Sequence, residues 1–151
     1  MNNLLFLCTG NYYRSRFCEA WFNHLAQQRG LRWQADSCGL APDVTVFGNL
    51  GPLSPYTQQA LRQLGVRLPA SLRHPRPAQP ADFAHAQHII ALSRDEHAPM
   101  VAQHFSAYAA AVEYWQVSDL PLTTPAQAVA AMQEAVKALV DRLDATPGAG
   151  S

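Results

Sequence analysis

Four apolar residues, Leu4 to Leu7, run directly into Cys8-Thr9-Gly10-Asn11, and from Ser15 the pattern turns helical, with Phe17, Trp21 and Leu25 at spacing four and Phe22 beside them. A short apolar run bounded by turn residues reads as a buried strand, and the period after it reads as an amphipathic helix. A strand, a tight loop and a helix in immediate succession form the unit from which parallel sheets covered by helices are built. Gly30 stops the helix.

The rest of the chain repeats this alternation. Leu31, Trp33 and Ala35 alternate with Arg32, Gln34 and Asp36, a strand signal over Leu31 to Ser37 that Gly39 closes. Residues 40–53 form a loop, and Ser54-Pro55 supplies an N-cap and first helical residue for a helix with Leu61 and Leu64 on its apolar face and Gly65 at its end. Residues 66–81, with Pro69, Pro75, Pro77 and Pro80, are an irregular surface connection in which Arg73 and His74 are expected to be solvated. His88 to Leu92 is a third strand, Ser93 with Glu96 a capping box for the next helix, and Ala109 to Val117 a fourth strand. Ser118 to Pro121 make a loop, and Thr124, Pro125 and Gln127 cap a helix whose stripe runs from Val129 through Met132, Val136, Leu139 and Val140 to Leu143. The predicted fold is α/β: one domain over residues 1–146, a four-stranded parallel sheet with helices on both faces, Rossmann-like, with 147–151 a disordered tail. Active sites in such sheets lie at the carboxyl ends of the strands, which selects the loops after Leu7, Ser37, Leu92 and Val117.

Composition narrows the function. A chain of 151 residues suits one domain, and 11 Lys plus Arg against 11 Asp plus Glu leaves no basic excess for nucleic acid or an anionic membrane. No run approaches the ~18–20 apolar residues of a membrane span, and the N-terminus lacks the basic start and long apolar core of a signal peptide. The protein is therefore expected in the cytoplasm, with Cys8, Cys18 and Cys38 as free thiols. Lys137 is the single lysine among the basic residues, a bias that reads as genome composition. His85, His88 and His97 share no helical face and show no ligand spacing, so no metal or other cofactor is called for. Trp21, Trp33 and Trp115 read as core, as do Cys18 and Cys38.

The chemistry concentrates in Cys8-Thr9-Gly10-Asn11-Tyr12-Tyr13-Arg14-Ser15. A loop of this kind curls so that successive backbone N–H groups point inward as a nest for an anion, to which the helix N-terminus adds its dipole. Arg14 grips phosphate oxygens with its planar fork. The same field favours a thiolate at Cys8, a nucleophile aimed at phosphorus, and Ser15 is placed to hydrogen-bond that sulfur.

The segment resembles the loop of the low-molecular-weight protein tyrosine phosphatases, Cys-x-Gly-Asn-x-Cys-Arg-Ser-Pro just after the first strand. Asp36-Ser37-Cys38-Gly39 resembles that family's second-strand ending, Pro55 to Gly65 its next helix, His88 to Leu92 its third strand, and Asp119 falls where the family keeps its general acid. The resemblance implies a phosphotyrosine phosphatase I-like fold and a two-step hydrolysis of phosphotyrosine in proteins, or of small aryl phosphates, through a cysteinyl-phosphate. It makes Cys8, Arg14 and Asp119 catalytic and gives Thr9, Gly10, Asn11, Tyr12, Tyr13 and Ser15 to the substrate, with phosphate or sulfate as a ligand of the loop. Asn11 is implied to prop the loop in a left-handed conformation, Tyr12 to line the pocket mouth, and Phe47 to lie where the family has a pocket-wall aromatic. Asp43 is the weaker rival to Asp119. Tyr13 and Arg16 stand where the family has its second loop cysteine and its proline, and Asp119-Leu120-Pro121 spreads the family's Asp-Pro. Without that second cysteine, oxidised Cys8 proceeds to sulfenic acid and beyond unless Cys18 or a small thiol intercepts it. Two alternatives fit the sequence as well: a thiol-coupled arsenate reductase, and a phosphate-binding interaction module whose catalysis has decayed.

Overall fold

The structure, a computed structural model, describes residues 1–118 and 123–145. Asp119, Leu120 and Pro121 and the expected tail at 147–151 lie outside the described residues. The sheet contains β1 (Asn2–Cys8), β2 (Trp33–Gly39), β3 (His88–Ala91) and β4 (Val112–Tyr114), ordered β2-β1-β3-β4 with every pairing parallel. Among the described residues, five α-helices join and cover it: α1 (Arg14–Arg29), α2 (Pro55–Gln63), α3 (Pro80–Ala84), α4 (Arg94–His104) and α5 (Pro125–Ala145).

β1 is unbroken by polar residues over Leu4–Leu7 because both of its faces are covered. Leu4 and Phe6 belong to one buried cluster, with Phe17, Phe22, Met132 and Leu139 of α1 and α5. Leu5 and Leu7 point into a second cluster with Cys38, Phe83 and Val101, as the two-residue period of a strand requires. β1 pairs with β2 on one side and β3 on the other. The strand order therefore reverses at β1, and the crevice at its carboxyl end, where Cys8 sits opposite Gly39, is the position at which open α/β sheets bind ligands.

Local signals act largely as written. Gly30 ends α1 in the left-handed region at φ 66°. Ser54 caps α2 by accepting from Tyr56 N. At α5 the box closes in both directions, Thr124 N donating to Gln127 Oε1 at 3.1 Å and Gln127 N to Thr124 Oγ1 at 3.2 Å. Trp33 is buried, and Trp21 and Trp115 pack half-buried against the α1–α5 cluster.

Four expectations need correction. The second strand begins at Trp33, two residues later than expected, because Leu31 N is held by Ala26 O at the end of α1. The fourth strand is Val112–Tyr114 and not 109–117: Ser106–Ala111 wind into a 3-10 turn, and β3 offers only Ile89, Ile90 and Ala91 as partners. The chain stays alongside β3 past Tyr114, with Trp115 N on Ala91 O and Val117 N on Leu92 O. The proline-rich connection, expected to be irregular to residue 81, runs at Pro80 into a one-turn helix, α3, pinned by Phe83 in the second cluster. At α4 only half of the capping box forms: Ser93 Oγ accepts from Glu96 N at 3.4 Å, but the Glu96 carboxylate goes elsewhere.

Phe6 is fully buried, edge-on to Phe22 at 6.3 Å between ring centres and tilted against Trp115 at 5.8 Å. Phe6→Ala is expected to cost about 3–5 kcal/mol of stability, measured by urea denaturation.

Candidate active site

Residue 8 ends the central strand and residue 14 starts α1, so five residues must turn the chain through the crevice. Asn11 makes the turn. At φ 53° it is the one non-glycine residue in the left-handed region among the described residues. Its side chain is fully buried and saturated. Nδ2 donates to Ser15 Oγ and to Ser37 Oγ, both at 2.9 Å, and Oδ1 accepts from Arg73 Nη1 at 2.8 Å and Arg76 N at 3.2 Å. An amide makes four such bonds at most without sharing, and here all four are made.

The network reaches the sulfur through one atom. Ser15 Oγ lies 2.9 Å from Cys8 Sγ and already accepts from Asn11 Nδ2. When Cys8 is a thiolate the sulfur has no proton to give, and the Ser15 hydroxyl is the donor of this bond. Cys8, Asn11 and Ser15 are all buried.

Arg14 is buried on the other side of the loop, where Nη1 donates to Val117 O at 3.0 Å and Nη2 pairs with Glu96 Oε2. The same carboxylate oxygen accepts from Thr9 Oγ1 at 2.7 Å and lies 2.7 Å from His97 Nε2. His97 is fully buried, and its Nδ1 accepts from Ser93 N at 3.0 Å. A ring nitrogen that accepts carries no proton, so the imidazole is neutral with its hydrogen on Nε2, facing Glu96. Burial alone pushes the Glu96 carboxyl up, but the bonds from His97, Arg14 and Thr9 and the Arg14 charge outweigh it and hold the group down at about 2.

Close packing of the loop against β2 depends on Gly39. A Cβ there would stand 2.8 Å from Thr9 O and 2.8 Å from Val44 Cγ1. With glycine in place, Leu40 N reaches Cys8 O at 2.8 Å and Ala41 N reaches Thr9 O at 3.2 Å. On the outside, Arg16 is buried and ties Pro52 O and Arg73 O, each at 2.9 Å, to α1. Tyr12 donates its hydroxyl to Leu50 O, and Tyr12 O accepts from Ser54 N. These ties hold residues 50–54 beside the loop. They leave a cavity of about 290 Å³ lined by Cys8, Thr9, Gly10, Tyr13 and Arg14 together with Tyr12, Phe47, Asn49 and Tyr56. A larger groove of about 980 Å³, beside Arg16, Glu19 and residues 65–73, includes neither Cys8 nor Arg14.

The loop residues expected from sequence thus gather around one cavity, Asn11 and Ser15 from behind it and the others in its lining. Phe47 lies against Gly10 and lines the cavity. Asp43 does not line the cavity; it caps the short turn Val44–Phe47 by accepting from Thr45 N. Asp119 is outside the described residues. Cys18 and Cys38 are buried, and burial pushes both thiols up, which suits packing. Arg73, expected in solvent, is half-buried, with Asn11 Oδ1 and Ser37 O on its guanidinium. His97 and Glu96 were also missed. Nothing in the spacing of residues 73, 96 and 97 marks them as neighbours of residues 9–14. The one available signal was an acid and a histidine placed immediately after a strand end.

A family model described as low molecular weight phosphotyrosine protein phosphatase matches residues 3–145. No curated protein matches the chain in sequence. Solved structures do match. YfkJ from Bacillus subtilis is 22% identical with a TM-score of 0.78 and 95% of each chain covered. The YwlE arginine phosphatase from Geobacillus stearothermophilus is 19% identical, TM-score 0.68, covering 95% of this chain and 90% of that one. Wzb from Vibrio vulnificus, in complex with benzylphosphonate, is 15% identical, TM-score 0.77, covering 93% and 98%. At these identities the likeness establishes the fold.

Two outcomes are expected from the geometry. Gly39→Ala drives a methyl into backbone and should cost about 1–3 kcal/mol, read by thermal unfolding. The Glu96 carboxyl titrates far below its ordinary 4.5, so its contribution to stability is full above that value and is lost as pH falls toward 2. Glu96→Gln should therefore flatten the acid limb of the stability curve, measured by urea midpoints between about pH 2 and 5.

Proposed function

The chain belongs to the low molecular weight phosphotyrosine protein phosphatase family, a family of cysteine-based phosphatases, and from that premise we propose that it hydrolyses phosphotyrosine in proteins, and small aryl phosphates, through a phosphorylated Cys8. In the first step the Cys8 thiolate attacks phosphorus, the S–P bond forms and the P–O bond to the ring breaks. Asp119 gives its proton to the departing phenolate. In the second step water attacks phosphorus, its proton passes to Asp119, and Cys8 leaves as thiolate with inorganic phosphate released.

The observation that carries this reading is the donor chain Asn11–Ser15–Cys8. A hydroxyl locked toward sulfur by a saturated amide stabilises the thiolate when it attacks and again when it departs. Arg14 and the backbone amides of the loop hold the equatorial oxygens, where charge is carried through the transfer. Phosphate or sulfate is the ligand expected in the loop. Asp119 is needed because a tyrosyl leaving group has a conjugate-acid pKa of about 10.

An aryl ester is favoured over a phosphorylated guanidinium by the lining. Tyr12, Phe47 and Tyr56 offer rings for stacking, and no lining residue among those described is a carboxylate that would pair with a guanidinium. An arsenate reductase is disfavoured because the segment after β3, Ser93 to His97, has no cysteine and both other thiols are buried. Three free thiols fit a reducing compartment, and we place the reaction in the cytoplasm.

The test is turnover of p-nitrophenyl phosphate, a phosphotyrosine peptide, phosphoarginine, and arsenate with a thiol reductant. Phosphate release from the aryl esters, abolished in Cys8→Ser, is expected. Release from phosphoarginine alone, arsenite formation alone, or phosphate binding without turnover would each replace the proposal with a different one. Asp119→Asn should slow phenol-like leaving groups by about 10²–10⁴-fold and spare activated ones, seen as a steeper dependence of rate on leaving-group pKa.

A further inference from the structure

Glu96 occupies the first turn of α4, where an acid is ordinarily explained by the helix dipole or by a capping box. Neither accounts for its side chain. Ser93 receives the amide of Glu96, but the carboxylate turns away from the cap and crosses to the loop, where one oxygen takes Thr9 Oγ1–H, Arg14 Nη2 and His97 Nε2 together. Each donor is itself fixed. His97 is buried and held at Nδ1 by Ser93 N, and Thr9 is the residue next to Cys8. Arg14 is tied at its other terminal nitrogen to Val117 O, beyond β4. The guanidinium is thus set in its plane by acceptors from two separate elements, and its charge faces a carboxylate before any phosphate arrives.

We propose that Glu96 is a positioning residue for phosphoryl transfer, acting through Arg14: it fixes the plane of the guanidinium and tempers the positive field of the loop, so that phosphate is gripped in the right orientation yet released. The inference rests on the phosphatase reading for its kinetic half and on anion binding alone for its other half. Orientation set before the reaction costs no rearrangement during it. A carboxylate beside the cation opposes an incoming dianion, which weakens ground-state and product binding.

The experiment compares wild type, Glu96→Gln, Arg14→Lys and the double variant. It uses kcat on p-nitrophenyl phosphate and inorganic phosphate affinity by calorimetry. Glu96→Gln should lower kcat by about 10–100-fold and tighten phosphate binding by about tenfold. In the Arg14→Lys background, where no fork remains to orient, the same change should alter kcat by about twofold or less. A folded Glu96→Gln with wild-type kcat and phosphate affinity overturns the proposal. So does an equal loss of kcat in both backgrounds, because the effect would not pass through Arg14. If Glu96→Gln fails to fold, Glu96→Asp takes its place. Its charge is kept but withdrawn from the guanidinium, so kcat should fall while phosphate affinity stays within about twofold of wild type, and an unchanged kcat overturns the proposal. A wild type that binds phosphate but hydrolyses no ester sinks the phosphatase reading alone, and the affinity of Glu96→Gln then decides whether Glu96 tempers the loop.

Discussion

At Asn11 the chain turns left-handed, and the dimensions of the loop follow from that turn. Asparagine enters this region at modest cost, and four side-chain hydrogen bonds to α1, β2 and the 73–76 segment hold it there. With the turn fixed, the backbone from Cys8 to Tyr13 wraps around a space instead of running over the sheet. The same side chain that sets the turn also orients the Ser15 hydroxyl toward the sulfur. Shape and chemistry of the loop are therefore one constraint.

Arginine dominates the surroundings of this loop. Arg14, Arg16, Arg73 and Arg76 each bridge several acceptors: Glu96 and Val117 O, Pro52 O and Arg73 O, Asn11 and Ser37, Asp82 and Asp36. A planar fork with five donors does this, and an ammonium point charge does not. The scarcity of lysine, which composition alone assigned to the genome, thus has a structural side at these four positions. At Arg14, Arg73 and Arg76 carboxylate partners balance the charge, so a chain of zero net charge can still surround this loop with guanidinium groups.

What was legible in the sequence is what local physics decides. The β1–loop–α1 unit, the glycine stop at residue 30 and the reciprocal box of Thr124 and Gln127 are all set within a few residues of chain, while the left-handed Asn11 was implied by the family resemblance. The fourth strand was overdrawn because its length is set by β3, a partner more than twenty residues away, and not by its own alternation. The α3 turn was invisible because five residues are too few to show a period. Arg73 and Glu96 escaped for the same reason in a stronger form. Their partners lie 62 and 82–87 positions away, and only the closed sheet brings them to the loop.

Gly39 carries a consequence for anyone wishing to move this loop. The carbonyl of Thr9 rests where a methyl on residue 39 would be, so the eight-residue segment and the tip of the neighbouring strand form a single mould. A transplant of the segment alone onto a foreign scaffold would arrive without its seat. The portable unit is two adjacent strand ends, and the second must finish in a residue that has no side chain.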